Sequence, residues 1–137
     1  MTIETHDFIQ NRTFDEIAVG DSAHLVRTLR PEDIHLFAVM SGDVNPTHVD
    51  PEFARSSQFR EVVGHSMWGS VLISSILGTE FPGPGTVYVG QTLKFWRPIT
   101  IGDTLTVTIT CTTPTGTACS IRRVTWITRP IIWCAAS

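Results

Sequence analysis

In the first half of the chain, hydrophobic and polar residues first alternate over one short segment, and the hydrophobic residues after it recur mainly at helical spacing. The alternating segment, Ala23 to Leu29, predicts a β-strand. Pro31 follows with two acidic residues directly behind it, a combination that favours the first turn of a helix. The apolar stripe of this helix consists of Ile34, Phe37 and Ala38. Ser41-Gly42 is predicted to end the helix, and a loop should then run from Asp43 to Asp50.

Two further helical segments are predicted before the middle of the chain. Pro51 to Ala54 is expected to form a short helical turn. His65 to Thr79 contains no proline, and its pattern predicts a mostly buried helix lined with small residues. The positions at helical spacing are Met67, Val71, Ser74, Ser75 and Gly78. The Pro-Gly repeat after Phe81 should stop this helix.

Beyond the Pro-Gly repeat, the pattern changes to that of β-strands. Thr86 to Arg97 is rich in β-formers, and Thr104 to Cys111 alternates strictly between polar and apolar residues. A turn is expected at Pro114, followed by a last strand around Ile121 to Ile127. Helices in the first half and antiparallel strands in the second indicate an α+β fold. Its simplest form is one long helix packed on the concave face of a curved antiparallel sheet.

The composition indicates one globular domain spanning residues 1–137. Hydrophobic residues make up 42% of the 137 residues, and 10 basic against 13 acidic side chains give a net charge of −3. Because the basic residues are scattered, a nucleic-acid partner is not expected. No apolar run reaches the roughly 20 residues that span a bilayer, so a membrane partner is not expected either. The acidic start and three cysteines without a C-x-x-C pair favour a reducing, cytoplasmic setting.

The loop after the first helix collects the side chains most suited to chemistry. Asp43, His48 and Asp50 lie within eight positions of one another, around the Asn45-Pro46 bend. A carboxylate and an imidazole directed at one water molecule can perform general acid–base catalysis. The alternative is that Asp43 and Asn45 only cap the turn and that His48 is a hydrogen-bonded packing residue.

A metal site in this loop is not expected. The loop lacks the glycine and the distal glutamate of a calcium loop, and zinc sites prefer several histidine or cysteine ligands. Ser66 and Ser74 are not in the Gly-x-Ser-x-Gly context of a nucleophile. The residues therefore disfavour a metal site in this loop.

The motifs of this chain resemble those of the MaoC-like, (R)-specific enoyl-CoA hydratases over about a hundred residues, from Phe14 to Thr110. The motifs that carry the resemblance are Phe37-x-x-x-Ser-Gly-Asp-x-Asn-Pro-x-His-x-Asp50 with Phe53-Ala54, Val63-x-His-x-Met67, Leu77-Gly78 with Pro82-Gly-x-Gly-x-x-Tyr-x-Gly-Gln91, and Arg97-Pro-Ile-x-x-Gly-Asp103. The tryptophan at position 68, directly after Met67, is a feature that resembles the hydratase domain of bifunctional enoyl-CoA hydratase/phosphate acetyltransferases. In those proteins a second domain follows the hydratase domain, so this resemblance predicts a longer natural chain.

The resemblance implies a hot-dog fold, a curved antiparallel sheet wrapped round the His65–Thr79 helix, assembled as a homodimer. It implies that Asp43 and His48 are the catalytic pair and that the substrate is an acyl-CoA. It places the backbone N–H of Ser66 against the thioester oxygen and Ser74 along the pocket, with Asn45 also assigned to substrate binding. The implied reaction adds water to trans-2-enoyl-CoA and gives (R)-3-hydroxyacyl-CoA, without a cofactor.

Two departures from the family pattern keep other functions open. Ser66 stands where the family usually has glycine, and its side chain is expected to crowd the thioester. The tail after about residue 112 is shorter than the family's and unlike it, and Pro130 disfavours a central strand there. The alternatives are a hot-dog acyl-CoA thioesterase, which would usually carry its carboxylate on the central helix, and a non-catalytic acyl-binding or structural protein.

Overall fold

A long helix packed against an antiparallel sheet forms the body of the protein. The structure is a computed structural model that describes residues 11–115, 118–122, 124–125 and 132–133. In chain order the elements are a 3-10 helix (Phe14–Glu16), β1 (Ser22–Thr28), α1 (Pro31–Ser41), α2 (Pro46–Val49), α3 (Pro51–Ser56), α4 (Ser66–Thr79), β2 (Thr104–Thr115), β3 (Ala118–Arg122), β4 (Val124–Thr125) and β5 (Ile132–Trp133).

Among the described residues, the principal sheet has three strands in the order β1-β2-β3, and both pairings are antiparallel. β1 lies along β2 without a break, from Ser22 opposite Thr110 to Thr28 opposite Thr104. The pairing of β2 with β3 contains an irregularity between Cys111 and Thr113. The short strands β4 and β5 pair with each other. The predicted α+β architecture is therefore confirmed.

The core lies between α4 and β2. The alternating pattern of β2 buries every second side chain, because successive residues of a strand point to opposite faces. The buried β2 residues are Leu105, Val107, Ile109 and Cys111, and the α4 residues of the same cluster are Trp68, Leu72, Ile73, Ile76 and Leu77. Burial of each large aliphatic side chain contributes about 1.5–3 kcal/mol. This cluster fixes α4 against the sheet and thereby fixes the position of its N-terminus.

The ends of α1 follow the predicted signals. The helix begins at Pro31 and ends at Ser41. Gly42 then adopts the left-handed conformation (φ 76°), and its N–H donates to the Ala38 carbonyl at 2.8 Å. Glycine takes this conformation without the steric penalty of a Cβ atom, so the chain can turn sharply into the Asp43 segment.

Two predictions about the helices were wrong in part. The segment from Asp43 to Asp50 is not entirely a loop, because Pro46–Val49 forms α2. Proline suits the first position of a new helix as well as it ends an old one. On α4, the predicted stripe is exposed, with Met67 and Val71 each 46% accessible, because the larger apolar side chains on the opposite side of the helix occupy the core instead.

Two predictions about the strands also require correction. The structure has no strand between residues 86 and 97, although the sequence there favours one. Within the part of the chain that the structure describes, β1, β2 and β3 pair with one another, and none of these strands pairs with residues 86–97. The turn expected at Pro114 comes later, since β2 continues to Thr115 and Pro114 pairs with Cys119. The last predicted strand, Ile121 to Ile127, lies partly outside the described residues.

Two observations bear on the setting of the chain. Cys111 is disulfide-bonded. The reducing, cytoplasmic setting stays a prediction. The count of three cysteines argues against a framework in which all are paired, but it leaves room for a single bridge. Every helix among the described residues is too short or too polar to cross a bilayer.

Candidate active site

The segment that follows α1 is held in shape by its own short polar side chains. The Ser41 hydroxyl donates to the Phe37 carbonyl at 2.7 Å and accepts from the Asp43 N–H at 3.2 Å. The Asn45 N–H donates to the Asp43 carboxylate at 3.3 Å. These bonds replace the helical ladder just past the end of α1, and they orient the Asp43 side chain, which remains half exposed.

Asn45 and Asp50 serve as caps of the two short helices. The Asn45 side-chain oxygen accepts from the Thr47 N–H at 3.0 Å and caps α2. One Asp50 carboxylate oxygen accepts from the N–H groups of Glu52 and Phe53 and caps α3. Capping by Asn45 is one of the two roles predicted from the sequence, and the structure shows that contact. The assignment of Asn45 to substrate binding stays a prediction.

His48 is fixed by a hydrogen bond to the chain segment that leads into α4. Its Nδ1 lies 2.7 Å from the Val63 carbonyl oxygen, and the Val63 N–H donates to the Thr47 carbonyl at 3.2 Å. A carbonyl oxygen only accepts, so Nδ1 must carry the proton of this bond. In the neutral ring, the lone pair is therefore on Nε2, which is free to act as a base.

The Asp43 and His48 side chains converge on a third residue, His65. Three ligand-type atoms, one from each residue, lie within 4.8 Å of one another. A water molecule that forms hydrogen bonds of about 2.8 Å to two groups can bridge a gap of this size. The pair predicted from the sequence is thus brought together at a distance that suits one shared water molecule.

The N-terminus of α4 lies directly beside this group. His65 is the N-cap of α4, and Ser66 is its first residue. The first N–H groups of a helix have no partner within the helix, so they are available to a bound oxygen atom. Just upstream, the Gly64 N–H donates to the Ile99 carbonyl at 2.7 Å, which ties this end of the helix to the segment before β2.

Comparison with known proteins agrees with this geometry. The sequence profile of the MaoC like domain matches residues 16–126, which is well over half of the chain. The chain belongs to the MaoC-like family. Its hot-dog fold, predicted from the resemblance, is confirmed by the arrangement of α4 on an antiparallel sheet and by the solved structures that it matches.

The curated relatives of this MaoC-like domain include two hydratases. The (R)-specific enoyl-CoA hydratase of Rhodospirillum rubrum is 46% identical over 99 residues, which are 72% of this chain and 69% of that protein. The (R)-specific enoyl-CoA hydratase of Aeromonas caviae is 36% identical over 96 residues, which are 70% of this chain and 72% of that protein.

The solved structures similar to this MaoC-like domain include the unliganded R-hydratase PhaJ1 from Pseudomonas aeruginosa. It superposes with a TM-score of 0.85 at 36% identity, over 93% of this chain and 84% of that chain. The (R)-hydratase from A. caviae involved in PHA biosynthesis superposes with a TM-score of 0.80 at 30% identity, over 87% of this chain and 92% of that chain.

One nitrogen among the three converging side chains of this MaoC-like domain is unavailable to a metal ion. His65 Nε2 lies 2.9 Å from the Asp43 main-chain oxygen, so this nitrogen carries a proton and has no lone pair for a metal. In the neutral ring the lone pair is then on Nδ1, which is buried and has no hydrogen-bond partner among the described residues. That the site works without a metal stays a prediction.

The remaining predicted residues differ in how close they lie to this cluster. Ser66 adjoins it and is exposed at the start of α4. Ser74 is exposed as well, but eight residues of helix carry it about 12 Å further along the α4 axis. The structure thus brings Asp43, His48 and Ser66 together, whereas the role of Ser74 near the reacting atoms stays a prediction.

The structure adds His65, for which the sequence analysis proposed no role. This residue is 2% exposed and touches both members of the predicted pair. The motif Val63-x-His65-x-Met67 contained the signal, because a histidine just before a buried helix is well placed to cap or contact a neighbouring loop. What the sequence could not supply was the long-range contact between residues 43 and 65.

Proposed function

We propose that this MaoC-like domain is an (R)-specific enoyl-CoA hydratase, a hydro-lyase that adds water to trans-2-enoyl-CoA and yields (R)-3-hydroxyacyl-CoA. Two relatives carry the name of this activity, and a solved structure at 36% identity is an R-hydratase. The observation that carries the proposal is the convergence of the Asp43 carboxylate with the His48 ring, whose Nε2 is left free by the bond to Val63.

In the proposed mechanism, Asp43 and His48 hold one water molecule between them. The oxygen of this water forms a bond to C3 of the enoyl thioester while one of its protons passes to the basic member of the pair. The π electrons of the C2=C3 bond move toward the thioester and form an enolate. The pair then returns a proton to C2, so the net change is the addition of one water molecule.

The enolate oxygen requires a hydrogen-bond donor as its charge develops. The backbone N–H of Ser66 supplies it in this proposal, supported by the positive end of the α4 dipole. The donor is fixed before substrate arrives, because the buried side of α4 is packed against β2. The proposed reaction needs neither a metal ion nor an organic cofactor, since every proton transfer is made by the chain itself.

The thioesterase alternative finds less support. Such an enzyme would usually place a carboxylate on the central helix, whereas α4 carries no acidic residue from Ser66 to Thr79. The acidic residue that follows α4 directly in the chain is Glu80, which is the C-cap at the opposite end from His48. The acid–base pair therefore lies where it can activate a water molecule beside the N-terminus of α4, as hydration requires.

The experiment that tests the proposal follows two products of crotonyl-CoA at once. A hydratase lowers the absorbance of the conjugated enoyl thioester without releasing free CoA, and chiral analysis should find the (R)-alcohol. A thioesterase releases free CoA, and an acyl-binding protein changes neither signal. Release of CoA at the rate at which substrate disappears would refute the hydratase assignment.

We also propose that two copies of the chain form a homodimer. Two exposed apolar surfaces of a single copy support this. Met67 and Val71 on α4 are each 46% accessible, and Val87 and Val89 in the 86–97 segment are 79% and 91% accessible. A second copy would cover these side chains. A single domain over residues 1–137 and a cytoplasmic location remain predictions, and the MaoC-like match itself ends at residue 126.

A further inference from the structure

One buried histidine takes no part in the proposed mechanism. His65 is 2% exposed, and its Nε2–H donates to the main-chain oxygen of Asp43 at 2.9 Å. Its ring lies 4.0 Å from the ring of His48 and 4.7 Å from that of Phe37, measured between centroids. A single side chain therefore touches the backbone of one proposed catalytic residue and the ring of the other.

We infer that His65 is a positioning residue that holds Asp43 and His48 in place beside the N-terminus of α4. The inference rests on the proposed function. His65 precedes Ser66 directly, so the residue that contacts the acid–base pair is covalently joined to the proposed oxyanion donor. Its contacts thus set the distance between the group that activates water and the N–H that receives the enolate oxygen.

The unpaired nitrogen of His65 shows that packing alone does not account for this residue. Its Nδ1 is buried and has no hydrogen-bond partner among the described residues. A buried polar atom without a partner is destabilising, and an apolar side chain of similar size would remove that cost. Only a hydrogen-bond donor can form the bond to the Asp43 carbonyl oxygen. This bond fixes the orientation of the peptide group between Asp43 and Val44.

His65 acts through its neighbours and not on the substrate. Its Nε2 is already bonded to the Asp43 carbonyl and lies 4.0 Å from the nearer carboxylate oxygen, beyond hydrogen-bond range. The His65 ring packs against the His48 ring at an interplanar angle of 34°, and this contact restricts the imidazole to the orientation in which Nδ1 faces Val63. Loss of this support should misplace the pair by a fraction of an ångström or more, which lowers turnover more than affinity.

The test compares two substitutions of similar shape in the full chain. His65→Gln retains a side-chain N–H that can reach the Asp43 carbonyl, whereas His65→Met fills the same space without a donor. We expect His65→Met to lower kcat for crotonyl-CoA about 10- to 100-fold with KM changed less than about threefold, and His65→Gln to recover most of the loss. The control His35→Gln replaces an exposed histidine on α1 and should leave both constants unchanged.

A second readout on the same samples does not depend on turnover. The ¹⁵N shifts of the His48 ring should report one fixed Nδ1–H tautomer in the parent and in His65→Gln, and a mixture of tautomers in His65→Met. A parent that does not hydrate crotonyl-CoA refutes the proposed function, and the tautomer measurement then still decides the positioning role. Equal kcat values for the Gln and Met variants, or one fixed tautomer in all three proteins, would overturn the inference.

Discussion

Only Nε2 of His48 is available to act as a base, because Nδ1 is hydrogen-bonded to the Val63 carbonyl at 2.7 Å. Asp43 contributes a carboxylate that is half exposed and is oriented by the Asn45 N–H. Neither side chain is needed for the hydrophobic core, which lies between α4 and β2. Substitutions at these two positions should therefore separate activity from folding.

We expect Asp43→Asn to fold as the parent and to lose most hydration activity, because the amide keeps the shape of the carboxylate without its basicity. His48→Ala should have the same effect on activity. The loss in kcat should be about two to four powers of ten, the usual contribution of a positioned acid or base. The assay is crotonyl-CoA hydration, with circular dichroism to verify the fold.

The matched control for this pair is Asp50→Asn in the same segment. Asp50 uses one carboxylate oxygen to cap α3, and an amide oxygen can accept the same bonds. This variant should hydrate crotonyl-CoA at nearly the parental rate. Near-parental rates for folded Asp43→Asn or His48→Ala would show that the catalytic pair is wrongly assigned.

At Ser66, the proposed contribution comes from the backbone and not from the side chain. Ser66→Gly should keep or raise kcat, because the N–H remains and the side chain no longer crowds the thioester. Ser66→Pro removes the N–H and should lower kcat by a factor of about 10²–10³. Both kcat and the melting temperature are measured, and a folded Ser66→Pro variant with the parental kcat would contradict the oxyanion role.

At the scale of elements, the site depends on how a four-residue helix is anchored. α2 is capped by Asn45, and the Val63 N–H donates to its Thr47 carbonyl. The helix carries His48 in its last turn, so its orientation determines where the imidazole points. We therefore expect Asn45 to act on the site through the stability of this short helix.

Replacement of Asn45 distinguishes capping from substrate binding. Asn45→Ala removes the cap and should lower the free energy of unfolding by about 0.5–2 kcal/mol, with a smaller kcat. Asn45→Ser retains a capping oxygen but no side-chain amide, so we expect it to restore both quantities. The measurements are thermal unfolding and the separate values of kcat and KM. A raised KM in a stable Asn45→Ser variant would instead favour substrate binding by the amide.

The elements that the sequence predicted well are those set by local signals. Pro31 and Gly42 determine the ends of α1 through conformations that those residues adopt readily, and the alternation in β2 follows from burial on one face. The 86–97 segment was predicted wrongly because a strand also needs a partner, which local preference does not specify.

The same distinction applies to the site. Asp43 and His48 stand five positions apart in one motif, so the sequence could group them. The contact of His65 with Asp43 spans 22 positions and depends on the packing of α4 against the sheet, which no short motif encodes. The structure was therefore needed to show that the N-cap of the central helix touches the acid–base pair.

At the scale of the whole molecule, the exposed apolar surface leads to a prediction about assembly. Light scattering at micromolar concentration should give a mass near twice 15.2 kDa. Val89→Glu, which places a charge on the exposed 86–97 segment, should shift the protein toward the monomer. Val19→Glu is the control, because Val19 is also exposed at 64% but lies in the turn before β1. A monomeric parent would contradict the proposed dimer.

The segment at 86–97 also affects how the protein behaves in storage. Its first six residues, Thr86 to Gln91, contain no charge and no proline and are rich in β-formers, the features of a sequence prone to form intermolecular sheets. For a chain whose second copy covers this segment, dilution below the dissociation constant uncovers it. Splitting the dimer at a fixed protein concentration should therefore make the protein precipitate sooner, so an intact dimer should lengthen its shelf life.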